Sequence, residues 1–380
     1  MAKIVYSLSG QGRGHTSRVI AVSDELRKAG HEVVFCCGGT AREILEAEGE
    51  RVLPVPALRQ AMHGNAIHLT QTFLCNWRTV LSSPLIVAEL ATLFSEERAD
   101  LLITDFEAFS PHAARRIGLP VLSFNHQQVV TETVYDLPAS YRFNAAFTGT
   151  VIRFIAPRDP QHVLLSSFFF PPLKHPGRTT LVAPIIRPDV QAITPKHEDP
   201  VLVYYNQTQG AGAVLDVLRQ VDARFIVYNF DPPPNPEAYP NLTFKAPCLD
   251  GFLRDLARSR AVICTAGFTL ISEALFLGKP LLVVPNRGIF EQTLNALFLQ
   301  REGLGEAVIG RPVTLRDIAT FLGRSAAYRA RMVGRDTCGN KAALACIERV
   351  LSENLPDVHA HPDHPYAPPA PLTEPVERLE

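Results

Sequence analysis

Short apolar runs and helical stretches alternate along this chain, and the alternation is played twice. In the first hundred residues, apolar runs at 3–8, 32–36, 51–55 and 101–104 read as strands. Between the first two, Val19, Ile20, Val22 and Leu26 recur at helical spacing within 15–29, and Gly30 ends that helix. Further helices are expected at 41–48 and 85–97, and a fifth strand at 121–124. A polar, proline-flanked stretch at 195–200 follows, and then the pattern restarts. Strands are expected at 201–205, 224–228, 261–264 and 281–284, with helices at 213–221, 250–258 and 269–277. Strands separated by helices call for parallel pairing with right-handed crossovers. The expected fold class is therefore α/β, as two Rossmann-like, doubly wound parallel-sheet domains.

The division follows from the pattern. Residues 1–190 form the first domain, 191–199 a linker and 200–337 the second domain. A helix at 338–355 can cross back to the first domain, and a Pro- and His-rich tail occupies 356–380. A chain of 380 residues exceeds a single ordinary core. Its 46% hydrophobic and 20% charged residues are those of a globular protein. The formal net charge of -1, with no block of like charges, gives nucleic acid no electrostatic footing.

The seven cysteines lack regular spacing and any C-x-x-C pair, so they read as reduced thiols of a cytoplasmic protein, without a zinc site. The chain enters a strand at once, without the charged and apolar regions of a signal peptide. No run reaches the roughly 18–20 apolar residues that span a bilayer, so any membrane contact would be peripheral.

Two segments, 56–84 and 125–180, fit the alternation poorly and are rich in His, Asn, Gln and aromatic residues. Long insertions above a sheet edge either line a pocket or simply pack, and the Phe168-Phe169-Phe170 run is open to both readings.

The turn after the first strand reads Ser9-Gly10-Gln11-Gly12-Arg13-Gly14-His15. Its glycines let the backbone approach a ligand at a helix N-terminus. The spacing is not the G-x-G-x-x-G of dinucleotide sites, and Cys36-Cys37-Gly38 stands where an acidic ribose ligand would end the second strand. NAD is therefore disfavoured. A general base that works near neutrality is most often an imidazole, which makes His15 the candidate. A carboxylate beside it would fix its tautomer. Asp105, at the end of the fourth strand, can supply that carboxylate or can cap the helix that follows; Glu107 is the second candidate.

In the second half, Gly267, Phe268 and Thr269 form a strand-to-helix turn whose amides can receive a diphosphate. Glu273 lies about one and a half turns further on, within reach of a ribose diol, and Glu291 with Gln292 opens the next helix, suited to sugar hydroxyls.

This run resembles the nucleotide-sugar motif of GT-B glycosyltransferases, E-x-l-x-x-G-k-P-x-l-x-v-P followed by E-Q-x-x-N-A. Here it is carried by Glu273, Gly278-Lys279-Pro280, Pro285, Glu291-Gln292 and Asn295-Ala296. The likeness is to the branch containing the lipid II-forming GlcNAc transferase. The N-terminal G-q-G-R-G-H-x-x-R ending at Arg18, Asn125-His126-Gln127 and Pro184-Ile185-Ile186-Arg187-Pro188 agree with it.

The resemblance implies two domains facing a cleft, with His15 as catalytic base. Asn206, Gln207, Gly210 and Gly212 would touch the donor phosphates, Gly267 to Thr269 the diphosphate, Glu273 the ribose, Glu291 and Gln292 the transferred sugar. The nucleobase would lie against Cys248 and Leu249. Gly12, Arg13, Gly14, Arg18, Glu107 and His126 fall on the acceptor side. The turn from Asn206 lacks the serine common in such enzymes, and Arg287 is placed to pair with a phosphate or an acidic sugar.

The expected activity is inverting transfer from a nucleotide-diphospho-sugar, with uridine expected by likeness, to a hydroxyl acceptor. The nucleotide sugar is the co-substrate and no metal or cofactor is expected; no D-x-D motif precedes a suitable strand. Two other readings keep the fold. A nucleotide-sugar 2-epimerase needs several acidic groups where the first loop offers Arg13 and His15. A catalytically silent binding protein would not need the intact His15 and Glu273.

Overall fold

The computed structural model describes residues 1–354 except 11, 12, 59–61, 64, 65, 68, 158 and 207–211. The expected tail at 356–380 lies outside the described residues.

The first sheet is built from β1 (Lys3–Leu8), β2 (Glu32–Cys37), β3 (Val52–Pro54), β6 (Leu101–Asp105), β7 (Val121–Asn125), β8 (His162–Ser166) and β9 (Thr179–Val182). Two short strands, β4 (Met62–His63) and β5 (Ala66–Ile67), form a separate antiparallel pair. The seven strands run in the order β3-β2-β1-β6-β7-β8-β9, every neighbour parallel. Central parallel strands are covered on both faces and so read as continuous apolar runs; every residue of β6 and β7 is buried.

The helices covering this sheet are α1 (Arg13–Lys28), α2 (Gly39–Ala47), α3 (Leu69–Leu81), α4 (Ser83–Glu96), α5 (Ser110–Arg116), α6 (Val129–Glu132) and α7 (Arg142–Ile155). After the short α8 (Pro188–Gln191) the second sheet begins. It takes β10 (Val201–Tyr204), β11 (Phe225–Tyr228), β12 (Leu242–Lys245), β13 (Ala261–Cys264), β14 (Leu281–Val283) and β15 (Gly305–Ala307) in the parallel order β12-β11-β10-β13-β14-β15. Its helices are α9 (Ala213–Leu218), α10 (Leu249–Arg258), α11 (Phe268–Phe276), α12 (Phe290–Arg301) and α13 (Leu315–Ala330).

The chain then returns. In α14 (Asn340–Asn354), Ala343, Cys346, Ile347, Val350 and Leu351 are buried in the core cluster that holds Ile4, Tyr6 and Leu26 of the first domain. Fully burying an aliphatic side chain of this size contributes about 1.5–3 kcal/mol, so this docking is a substantial part of the first domain's stability.

Two of the expectations are corrected by the fold. Residues 125–180 are not mainly irregular, because α6, α7, β8 and the first half of β9 lie there. The strands β12 and β15 and the helix α13 also extend the pattern beyond the strands and helices read from the sequence.

Each sheet has one point where neighbouring strands leave in opposite directions: β1, between β2 and β6, and β10, between β11 and β13. Ligands of open α/β sheets gather at such points, at the strands' carboxyl ends. Leu8 stands level with Asp105, and the Ser9 amide donates to the Asp105 carbonyl at 3.0 Å. Gly10 continues this turn where a Cβ would lie 2.5 Å from Ala57 Cβ and 2.6 Å from the Gly38 carbonyl oxygen, which only glycine avoids. The seven cysteines form no disulfide. Among the described residues, no single helix is long and apolar enough to cross a membrane.

Candidate active site

His15 is carried in the first turn of α1, which begins at Arg13, and its ring is half-buried. Asp105 at the end of β6 is fully buried. His15 Nδ1 lies 3.0 Å from Asp105 Oδ1. An ionised carboxylate there accepts a hydrogen bond from Nδ1–H, a tautomer in which Nε2 carries the basic lone pair. Arg18, one turn along α1, closes over the same carboxylate: Nε donates to Oδ2 at 3.1 Å, and Nη2 lies 2.6 Å from both oxygens. Burial alone would raise the Asp105 carboxyl, but the charges of Arg18 and His15 hold its pKa below the ordinary carboxylate value. Arg18, expected on the acceptor side, is thereby corrected to a buried partner of Asp105; its side chain is 6% exposed.

The other reserve candidate, Glu107, does something different. Phe106 between the two acids has φ 58°, a left-handed conformation that turns the chain and separates their side chains. The Phe109 amide donates to Glu107 at 3.0 Å, and the Ser110 amide and hydroxyl donate at 2.6 and 2.5 Å. Glu107 thus caps α5, and burial raises its carboxyl pKa despite these bonds. Its carboxylate is engaged at the start of α5, and Asp105 is the acid that meets His15.

On the second domain, Gly267 caps α11 with no side chain, so the first amides of that helix point out of an uncapped N-terminus. Thr269 is half-buried, while the Phe268 ring is buried. Glu273, expected to reach a ribose diol, is 4% exposed, and Arg187 Nε and Nη2 donate to its two oxygens at 2.8 and 3.1 Å.

Asn206 is tied down as well, its Oδ1 accepting from Asn286 Nδ2 at 2.9 Å. Gln292 is buried and turned inward, its Oε1 accepting from the Asn286 backbone amide at 2.8 Å, which leaves its amide nitrogen to donate to a sugar. Gly212 precedes α9, while Gln207 and Gly210 lie outside the described residues, as does Gly12. Cys248 and Leu249, at the start of α10, are exposed, as is Arg287 in the turn before α12. Arg13 and Gly14 form the opening of α1. Among the described residues, no three His, Cys, Asp or Glu side chains gather as a metal-binding group.

His126, expected on the acceptor side, is corrected to a joint between the domains. It is 2% exposed, with Nδ1 2.8 Å from the Ser166 carbonyl oxygen, Nε2 2.9 Å from Asn295 Oδ1 and its ring stacked 3.8 Å over Phe268. The neighbouring Gln127 places its Nε2 3.4 Å from His15 Nε2. Glu291, in the first turn of α12, acts electrostatically on both Arg18 and His126 across the seam. His126, and not His15, is the first-domain histidine that touches the start of α11. Phe168 and Phe169 of the aromatic run are buried in the same seam, Phe169 stacked 3.9 Å from Phe298, and Phe170 is left exposed.

Arg187 and Gln127 were given no role from sequence, although both lie inside the segments quoted for the resemblance. Their only signal was position within those segments.

The chain matches the family model described as "Glycosyl transferase family 1" over residues 2–325. An uncharacterized glycosyltransferase of Methanosarcina acetivorans is 26% identical over 329 residues, covering 80% of this chain and 84% of that protein. A Bacillus cereus protein named UDP-N-acetylglucosamine--N-acetylmuramyl-(pentapeptide) pyrophosphoryl-undecaprenol N-acetylglucosamine transferase 3 is 30% identical over 129 residues, covering 30% of this chain and 35% of its own. Among solved structures, MurG of Acinetobacter baumannii shares the fold with a TM-score of 0.63 at 16% identity, covering 92% of this chain and 100% of that one. With two parallel α/β domains and a family model spanning most of its length, the chain belongs to glycosyl transferase family 1 and is a glycosyltransferase of the GT-B type.

Proposed function

We propose that this glycosyltransferase moves a sugar from a UDP-sugar to a hydroxyl acceptor by direct, inverting displacement, without a metal ion. His15 Nε2 takes the proton of the acceptor hydroxyl as its oxygen attacks the anomeric carbon. Asp105 holds the Nδ1 proton and stabilises the imidazolium that forms. The diphosphate departs on the opposite side, its charge received by the amides of Gly267, Phe268 and Thr269 at the start of α11. Glu273 binds the ribose, and Glu291 with the amide of Gln292 faces the sugar.

One observation carries this reading: the contacts that run from His15 through Gln127 and His126 to Phe268, the first residue of α11. Adjacent residues of one segment thus meet the base on one side and the first residue of α11 on the other, which supports a shared site for both. Uridine is favoured by the donor named for the Bacillus cereus relative. The cytoplasm is favoured by seven unpaired thiols.

Thermal-shift titrations with UDP-, dTDP- and GDP-sugars test the donor. At a hundredfold excess over Kd a bound ligand stabilises by about 2.7 kcal/mol. The UDP-sugar should give the largest shift, and Glu273→Ala should abolish it while leaving cooperative unfolding intact. A shift retained in that variant would place the ribose elsewhere.

A further inference from the structure

A carboxylate that reads a ribose diol must be ionised and must present free lone pairs to both hydroxyls. Glu273 alone satisfies neither condition. It lies buried on the inner side of α11, and burial raises its carboxyl pKa. Arg187 changes both terms. Its Nε and Nη2 meet Oε1 and Oε2 one to one, the fork-to-fork arrangement that fixes a carboxylate in a plane and lowers its pKa in part. Each oxygen spends one lone pair on the guanidinium and keeps another.

The guanidinium is itself held from a clamped backbone. The Ile186 amide donates to Asn340 Oδ1 at 2.9 Å, Asn340 Nδ2 donates back to the Ile186 carbonyl at 2.8 Å, and Gln191 Nε2 donates to the same carbonyl at 2.6 Å. The Gly339 amide donates to the Pro184 carbonyl at 2.8 Å. This segment lies between the last strand of the first sheet and the first strand of the second, while Glu273 belongs to the second domain.

We propose that Arg187 is a positioning residue for donor recognition: from the segment joining the domains, its guanidinium holds the Glu273 carboxylate so that its remaining lone pairs face the 2′- and 3′-hydroxyls of the donor ribose. The assignment rests on the nucleotide-sugar reading above. It makes the protein selective for ribonucleotide over deoxyribonucleotide donors, and it makes Arg187 the source of that selectivity without contact between Arg187 and the sugar.

Calorimetric titration of UDP and 2′-deoxy-UDP into the full chain tests it. The parent protein should prefer UDP by roughly tenfold or more, the scale of one hydrogen bond to a charged group. Arg187→Gln should bring the two affinities within about twofold, chiefly by weakening UDP. Arg187→Lys, which keeps the charge and loses the fork, should recover part of the preference. In a Glu273→Gln background, Arg187→Gln should have no further effect on the ratio, which a merely structural arginine would not produce.

An Arg187→Gln variant that keeps the preference overturns the proposal alone, whereas a parent protein that binds UDP and 2′-deoxy-UDP equally overturns it together with the ribose role of Glu273. A parent protein that binds no nucleoside diphosphate overturns the donor reading together with it. If Arg187→Gln fails to fold, the Arg187→Lys ratio decides: an undiminished preference overturns the proposal.

Discussion

At the scale of single residues, the charge on Asp105 is settled by its neighbours. A buried carboxyl with no partner would stay protonated, and His15 would lose the group that holds its Nδ1 proton. Arg18 prevents this, and with His15 it depresses the Asp105 pKa. The sign follows: a carboxylate with a depressed folded-state pKa contributes stability above its unfolded value of about 3.9, and the contribution is lost as pH falls through the folded value. The thermal midpoint should therefore drop steeply below about pH 4, and less steeply in Asp105→Asn. Arg18→Met leaves the buried Asp105 with His15 as its remaining partner and should lower unfolding free energy in urea by up to about 3–5 kcal/mol. His15→Ala, by contrast, should leave stability and UDP binding nearly unchanged while product formation falls about 10²–10⁴-fold. An equal loss of UDP binding would mean that His15 serves the donor.

The residue types of this site were legible in the sequence, but their pairings were not. Asp105 and Glu107 are two positions apart and chemically alike. What separates them is the left-handed backbone at Phe106, which no side-chain pattern announces. Glu273 was legible as a carboxylate at a helix start. Its partner Arg187 is distant in sequence, and only the folded chain brings the two together.

At the scale of elements, the strands that were legible are those with a buried, mainly apolar run at their centre, such as β1, β6, β7 and β13. Those missed are short or carry polar residues: β9, β12 and β15 lie at sheet edges, and β8 opens with His162. Their pairing is set by the neighbouring strand and not by their own composition. The return of α14 depends on one glycine. A Cβ on Gly339 would come within 2.1 Å of the Ala183 carbonyl oxygen. Gly339→Ala should therefore push α14 off the first sheet and destabilise the first domain by at least the roughly 1–3 kcal/mol of an overpacked core, read as a lowered urea midpoint. Glu107→Ala should cost about 0.5–2 kcal/mol through the lost cap of α5 and leave donor binding intact.

At the scale of the whole molecule, the two domains share one apolar core cluster, in which Val129, Ile152 and Phe169 of the first meet Phe268, Leu294 and Phe298 of the second. Phe298→Ala removes the ring stacked on Phe169 and should cost about 3–5 kcal/mol. Calorimetry should then resolve two unfolding transitions where the parent protein shows fewer, because the seam no longer couples the domains. A single unchanged transition would show that the coupling runs elsewhere.

The main chain passes from one domain to the other twice, once outward after Pro184 and once homeward before Asn340, and hydrogen bonds stitch the two passages together where they meet. A pair of tethers fastened side by side acts like the spine of a book. Fastened in this way, neither domain is free to slide or spin against the other, and any swing would turn about the two passages. Groups close to the spine, Arg187 and Glu273 among them, would keep their grip through such a swing. The distance between His15 and the far end of the donor would change most.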